Sequence, residues 1–185
     1  YPELKKGAGR LKFDTTTEAG RIWNGKIALT YASGTGTEAD PFIIKTGGQL
    51  ALLVNEAIEG KTAGKHYKLA ADIILNDTSK ADWESSANAW FTGGWGQGFK
   101  GHLDGDYHIV SGLFYNNTHE TYTTEGTINA GLFPSLGLGA VVEKLGVVNS
   151  SLTHTHATAG RRIGAIAGYI DHYDEVGKEA AYEDY

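Results

Sequence analysis

The chain has no cysteine, no methionine and only 3 prolines in 185 residues, and its 16 lysines and arginines are outnumbered by 22 acidic residues. Each shortage excludes something. Without cysteine there is no thiolate zinc site, no disulfide staple and no cysteine nucleophile. A formal charge of −6 argues against the broad basic footprint that nucleic acid needs, so a nucleic-acid partner is not expected. No apolar run approaches the roughly 20 residues of a membrane helix, so insertion of that kind is not expected either. The chain begins Tyr1-Pro2 with neither an initiator methionine nor a signal-peptide pattern. This leads us to expect a piece processed or excised from a longer precursor.

What is abundant is glycine, at 26 residues, with aromatics weighted toward tyrosine. That composition suits short strands and tight turns in one domain with a real core. Residues 1–36 form a lead segment. It starts with a basic cluster, Lys5, Lys6, Arg10 and Lys12, best read as a solvated face, and goes on to the alternating run Arg21-Ile22-Trp23-Asn24-Gly25-Lys26-Ile27. After a turn at Asp40-Pro41 comes the short strand Phe42-Ile43-Ile44. Thr46 then stands three residues before Gln49, as in a capping box, and Leu50, Leu53, Val54, Ala57 and Ile58 recur at helical spacing before Gly60. A helix over 47–59 is predicted, with its apolar stripe covering the end of a core.

His66-Tyr67-Lys68-Leu69 and Ile73-Ile74-Leu75 read as strand, bend, strand. A polar loop over 76–98 follows and carries Trp83, Trp90 and Trp95; a loop of that length is usually functional or poorly ordered. Next, Phe99-Lys100-Gly101-His102-Leu103 and His108-Ile109-Val110 flank an Asp104-Gly105 corner. These are two strands joined either as a hairpin or as part of something larger. After a polar excursion over 116–129, Gly131-Leu132-Phe133-Pro134-Ser135-Leu136 and Gly164-Ala165-Ile166-Ala167-Gly168-Tyr169-Ile170 repeat one idea at an offset of one supersecondary unit. Stacked units of that kind bury their apolar faces on each other. Residues 171–185 are an acidic tail, either a short helix or the start of a further coil.

Several blocks in this order resemble a known family. Gly34-Thr-Gly-Thr-Glu-Ala-Asp-Pro-Phe-Ile-Ile44 with Gln49-Leu50-Ala51, Tyr67-Lys-Leu-Ala-Ala-Asp-Ile73, Phe99-Lys-Gly-His-Leu-Asp-Gly105, Gly131-Leu-Phe133 and Leu145-Gly-Val-Val-Asn149 are similar to bacterial surface proteins with GLUG-type glycine repeats. Members of that family are typically long, exported and adhesin-like, often from gut Bacteroidetes. The resemblance implies an all-β fold, a short right-handed parallel β-helix (solenoid) over 37–170 with one N-terminal covering α-helix. It also implies an extracellular or bacterial cell-surface location, and it transfers no catalytic motif. The chain departs from the family at Trp95-Gly96-Gln97-Gly98 and at Asp106-Tyr107, where corner geometry can differ.

Three constellations bear on activity. Asp104, Asp106 and His108, with Lys100 and His102, resemble an acid–base face on a polysaccharide lyase, but Asp-Gly-Asp is also a turn whose carboxylates satisfy backbone amides, and that reading is favoured. His154 and His156 share a face if their segment is a strand, with Asp171, His172 or Asp174 as a third metal ligand; a solvent-facing loop is favoured there. Trp83, Trp90 and Trp95 are the candidate ligand-binding residues, because an indole stacks on a sugar ring at little conformational cost. The competing reading makes them the loop's own small core, with Trp95 leaning that way. Asn76-Asp77-Thr78, Asn116-Asn117-Thr118 and Asn149-Ser150-Ser151 match the glycosylation pattern, which carries no meaning in a bacterial protein.

The expectation is therefore a non-catalytic binding module, adhesin-like, that presents loops to a glycan or to a host or bacterial surface protein. No cofactor and no metal is expected. The alternatives are a lyase-type polysaccharide-active enzyme and a purely structural shaft, the latter with self-association through the ends of the solenoid. Phe99, Leu103, Ile109, Leu113, Phe133, Val147 and Ile166 are the expected inward positions.

Overall fold

The computed structural model describes residues 22–93, 97–117, 128–154 and 161–171. The basic cluster at Lys5 to Lys12, most of the polar excursion, Trp95, His156 and the tail after Asp171 lie outside the described residues.

The described chain is largely β, with a single α-helix and many strands of two to four residues. In order these are β1 (Phe42–Ile44), α1 (Gly47–Ile58), β2 (His66–Leu69), β3 (Ile73–Ile74), β4 (Thr92–Gly93), β5 (His102–Asp104), β6 (Ile109–Ser111), β7 (Phe114–Asn117), β8 (Ile128–Ala130), β9 (Phe133–Leu136), β10 (Val141–Glu143), β11 (Gly146–Val148), β12 (Ser151–His154), β13 (Arg161–Ile163) and β14 (Ala167–Ile170). They form small sheets ordered β1-β2-β5-β10, β11-β6-β3, β12-β7, β13-β8-β4 and β14-β9. All the pairings between these strands are parallel except β4 with β8.

Two of the sheets share one register step. Ile73 pairs with Val110 and Val110 with Val147, in steps of 37 residues, and Phe114 pairs with Ser151 at the same step. β5 and β6 therefore lie in different sheets, and the hairpin reading of the Asp104-Gly105 corner does not hold. Glycine-rich segments 131–136 and 164–170 lie directly against one another, with Phe133 beside Ala167 and Leu136 beside Ile170.

Helix α1 forms where the capping pattern placed it. Thr46 Oγ1 accepts from Gln49 N at 3.3 Å, while Gln49 Oε1 reaches back to the amide of Lys45, one residue beyond the cap itself. At the other end Gly60, at φ +74°, takes the left-handed conformation. Its amide bonds Ala57 O and the Lys61 amide bonds Glu56 O, so two of the terminal carbonyls are satisfied. Leu50, Leu53, Val54 and Ala57 are fully enclosed, packed with Trp23, Ile44, Tyr67, Leu69 and Leu75.

Period-two alternation sets the core of the strands. Tyr67, Leu103 and Val110 are buried, while their neighbours His66, Lys68, His102, Asp104, Ile109 and Ser111 are half-buried. Among the expected inward positions Phe99, Leu103, Leu113 and Phe133 are enclosed, and Phe99 stacks on Phe133 with ring centres 4.7 Å apart. Ile109 is a correction: Val110 faces the core instead. The corner before it contains two non-glycine residues in the left-handed region, Asp106 at φ +46° and Tyr107 at φ +65°, and these fix the phase on which the strand resumes. Val147 stands below Val110 and packs against the core from a half-buried position, and Ile166 is also half-buried.

Gly112 marks a close approach between segments distant in sequence. It sits at φ +72°, and a Cβ there would lie 2.5 Å from Asn76 O and 2.7 Å from Asn76 N. Gly139, at φ +82°, has nothing within 4 Å of the same position. We expect Gly112→Ala to cost about 3 kcal/mol, from left-handed strain plus overpacking against backbone, and Gly139→Ala about 1 kcal/mol from strain alone. Urea unfolding of the two variants measures the difference, and equal losses would contradict the close contact.

Candidate functional site

The loop that carries the tryptophans is pinned by asparagines. Asn76 is buried; its Nδ2 donates to Gly112 O at 2.8 Å and to Asn88 O at 3.1 Å, and its Oδ1 accepts from Asn88 N at 2.7 Å. Asn88 Nδ2 in turn donates to Trp23 O at 2.8 Å. Both ends of the segment 76–88 are thereby tied to the sheets. What lies between them is displayed rather than loose.

The structure separates the tryptophans. Trp90 is 4% exposed; its ring meets Trp23 edge-on with centres 4.9 Å apart, and its Nε1 donates to Leu132 O at 2.9 Å. That indole is part of the core and offers no open face to a sugar. Trp83 opens a 3-10 turn (Trp83–Ser86), is half-buried, and leans edge-on against Phe114 with centres 5.7 Å apart. Trp95 lies outside the described residues. The loop therefore does not bring Trp83 and Trp90 together on one ligand face.

A cleft of about 340 Å³ opens beside the start of the same loop. Its floor is the outer face of β3, β6 and β11, with Ile74, Ser111 and Val148 in register on successive strands and Ile109 alongside. Asp77, Thr78 and Ser79 form one rim and Asn149 the other, closed by a bond from Asn149 Nδ2 to Thr78 Oγ1 at 3.3 Å. Asp77 Oδ1 accepts from Ser79 Oγ at 2.6 Å and from Ser79 N at 3.1 Å, and these bonds hold its carboxyl below the usual range. The cleft thus combines apolar ground with amide, hydroxyl and one ionised carboxylate. Two of the three Asn-x-Ser/Thr triads meet here. Their spacing was the only sequence signal for the site, and it gave no hint that residues 76–79 and 149 are neighbours.

The charged corner is internally paired. Asp104 Oδ1 accepts from the Asp106 amide at 2.9 Å, as the turn reading requires, and Asp104 Oδ2 lies 3.4 Å from Lys144 Nζ. Partial burial pushes the Asp104 carboxyl up, but that amide and the Lys144 ammonium outweigh it and leave it below the ordinary range. The bond to His102 Nε2 at 2.9 Å, then Lys144, holds Glu143 low, and Lys144 is raised despite its desolvation because it serves both carboxylates. Lys68 pairs with Asp106 at 3.1 Å and His108 Nδ1 meets Asp72 at 3.0 Å. Lys100 gives its backbone amide to Thr62 Oγ1. A lysine kept protonated between two ionised carboxylates is a poor proton acceptor. The pairs at Lys68, His102, Asp104, Glu143 and Lys144 tie β2, β5 and β10 together, and His108–Asp72 links the starts of β6 and β3.

A second polar cluster is half-buried against the core. Tyr31 and Tyr67 both donate to Glu56 Oε2, at 2.9 and 3.2 Å; burial first, then Tyr67 and Glu56, pushes the Tyr31 hydroxyl far above its usual range, and burial first, then Glu56, does the same to Tyr67 against a lowering contact from Tyr31. It fastens α1 to β2. Ser151–His154 is a strand, and the His154 ring stacks on Tyr115; of its expected metal partners only Asp171 is described. Among the described residues no group of three or more metal-type ligands occurs, and no helix is long and apolar enough to cross a membrane.

We expect Trp90→Phe to lose about 2 kcal/mol, because it strands the buried Leu132 carbonyl, and Trp83→Ala to lose under about 1 kcal/mol. Thermal or urea unfolding checks both. An unaffected Trp90→Phe would contradict the buried bond.

No family model matches the chain, and no solved structure matches it. Among curated proteins, one from Evansella cellulosilytica described as a Gly-rich membrane protein is 29% identical over 144 residues, covering 75% of this chain and 14% of its own length. Halomucin from Haloquadratum walsbyi is 29% identical over 151 residues, covering 78% of this chain and 2% of its own length. The chain is thus similar to a short stretch of two much longer proteins.

Proposed function

We propose that the chain is a short right-handed parallel β-helix that serves as a non-catalytic, adhesin-like binding module at a bacterial cell surface, with a glycan as ligand and a surface protein as the other candidate partner. The observation that carries this reading is the cleft beside the tethered 76–88 segment, in which an apolar floor is rimmed by Asp77, Thr78, Ser79 and Asn149. A sugar ring has that composition in mirror form, with an apolar face to lie on the valine and isoleucines and hydroxyls for the rim. Trp83, on the same displayed segment and half-buried, is the aromatic candidate that remains. Parallel pairing at steps near 37 residues supports the coil reading, and likeness to a protein described as a membrane protein supports the surface location.

The mutual pairing of Asp104, Lys144, Glu143 and His102 weighs against the lyase reading, because it leaves those groups holding each other. The structural-shaft reading draws on the length of the two relatives.

A glycan array probed with the intact chain tests the proposal. We expect retained glycans whose binding falls at least tenfold in Val148→Lys, which fills the cleft from an outward position, and in Trp83→Ala, with both variants still folded and thermal midpoints lowered by no more than about 4 °C. An array and a surface-protein pull-down without any ligand, or both variants binding like the parent, would overturn it.

A further inference from the structure

The two ends of the stacked sheets are built differently. At the first end, α1 lies between β1 and β2 in the chain, and its apolar residues are fully enclosed. At the other end β10, β11, β12, β13 and β14 are the last strands of their five sheets, all on the same side. Among the described residues no further strand pairs with their outer edges.

The side chains record the same asymmetry. Leu103 and Val110 are wholly enclosed, whereas Val142 and Val147, which stand below them in register, are only half-buried and share that layer with half-buried Leu145 and Leu152. The exposed Val141, Val148, Ile163 and Ile170 are on these strands too. Backbone groups agree. Val141 N bonds Gly101 O, Gly146 N bonds His108 O, and Ser151 N bonds Leu113 O, each toward the preceding layer. Alternation along a strand turns the next amides, those of Val142, Val147 and Leu152, toward the open side. A row of such donors over a half-covered apolar layer is a template for another strand.

We infer that this edge takes a further coil of the same build, a segment of about 37 residues with apolar inward positions that pairs in parallel with β10 to β14. The occupant follows from continuity with the pairing already present. β1, β2 and β5 each receive the next strand in parallel on the same side, and the corners repeat their left-handed residues, Tyr107 and Gly112 in one layer and Lys144 and Asn149 in the next. The two curated relatives extend far beyond the matched stretch. A two-fold pairing with a second copy, the other candidate, would run the strands antiparallel, against the parallel sense in which β10 to β14 each meet their neighbour. This inference rests on the coil reading above and adds which end of the coil grows.

The register also supplies the test. Ile170 pairs with Leu136, so Asp171 stands under Gly137, and Leu138 is the residue that follows naturally. A copy of residues 138–171 inserted between Asp171 and His172 should therefore continue the stack. Hydrogen exchange at the amides of Val142, Val147 and Leu152 is expected to slow at least 100-fold relative to the parent chain, while Leu103, already interior, changes little. Unchanged exchange at those three amides, or proteolytic loss of the inserted copy with the parent core intact, would overturn the inference. So would a parent chain that is a dimer with these amides already protected, since a second copy would then hold the edge. Failure of the coil reading itself shows separately, as missing Val110-to-Val147 cross-strand contacts in the parent.

Discussion

Strands of two to four residues cannot satisfy their own backbones or bury much side chain alone, and every strand of the described chain is of that length. What makes them strands is parallel pairing with the segment some 37 positions away, which passes hydrogen bonds from one layer to the next. Everything else in the structure serves that constraint. The corners must be narrow, so Gly105 and Gly112 sit against the backbones of Lys144 and Asn76, where a Cβ would come within 2.5 Å of a carbonyl oxygen. The inward column must be apolar and continuous, as in Tyr67, Leu103 and Val142. Helix α1 packs on the same core and is held there by Glu56, which accepts from Tyr31 and Tyr67.

The same constraint decides which polar groups are free for function. Side chains that point out of the sheets at successive layers find each other, and the acidic and basic residues around Asp104 and Lys144 are used up in that way. Freedom is left where the chain leaves the layers. The segment tethered by Asn76 and Asn88 is such a place, and the cleft at its foot is formed by a loop and an outward strand face that are distant in sequence.

Much of the fold was legible because its signals are local. Thr46, Gln49 and Gly60 state where a helix starts and stops, and the Asp-Gly corner states where the chain turns. The resemblance of the glycine segments 131–136 and 164–170 is realised as direct stacking. The phase of β6 was not legible: two non-glycine residues in the left-handed region place Val110, not Ile109, toward the core, and nothing in their identity requires that conformation. The tryptophans were illegible for a different reason. Trp83 and Trp90 sit in equally polar loop sequence, and only the contact of Trp90 with Trp23 and the Leu132 carbonyl separates a core residue from a displayed one. The cleft depends on Thr78 meeting Asn149, a contact that spacing along the chain does not express.

The central claim is that successive segments pair in parallel, layer on layer. Nuclear Overhauser contacts along the column Ile73, Val110 and Val147 test it most directly. The account predicts strong interstrand backbone contacts from Ile73 to Val110 and from Val110 to Val147. Antiparallel contacts between residues 102–104 and 109–111, the signature of a local hairpin about Gly105, would contradict it.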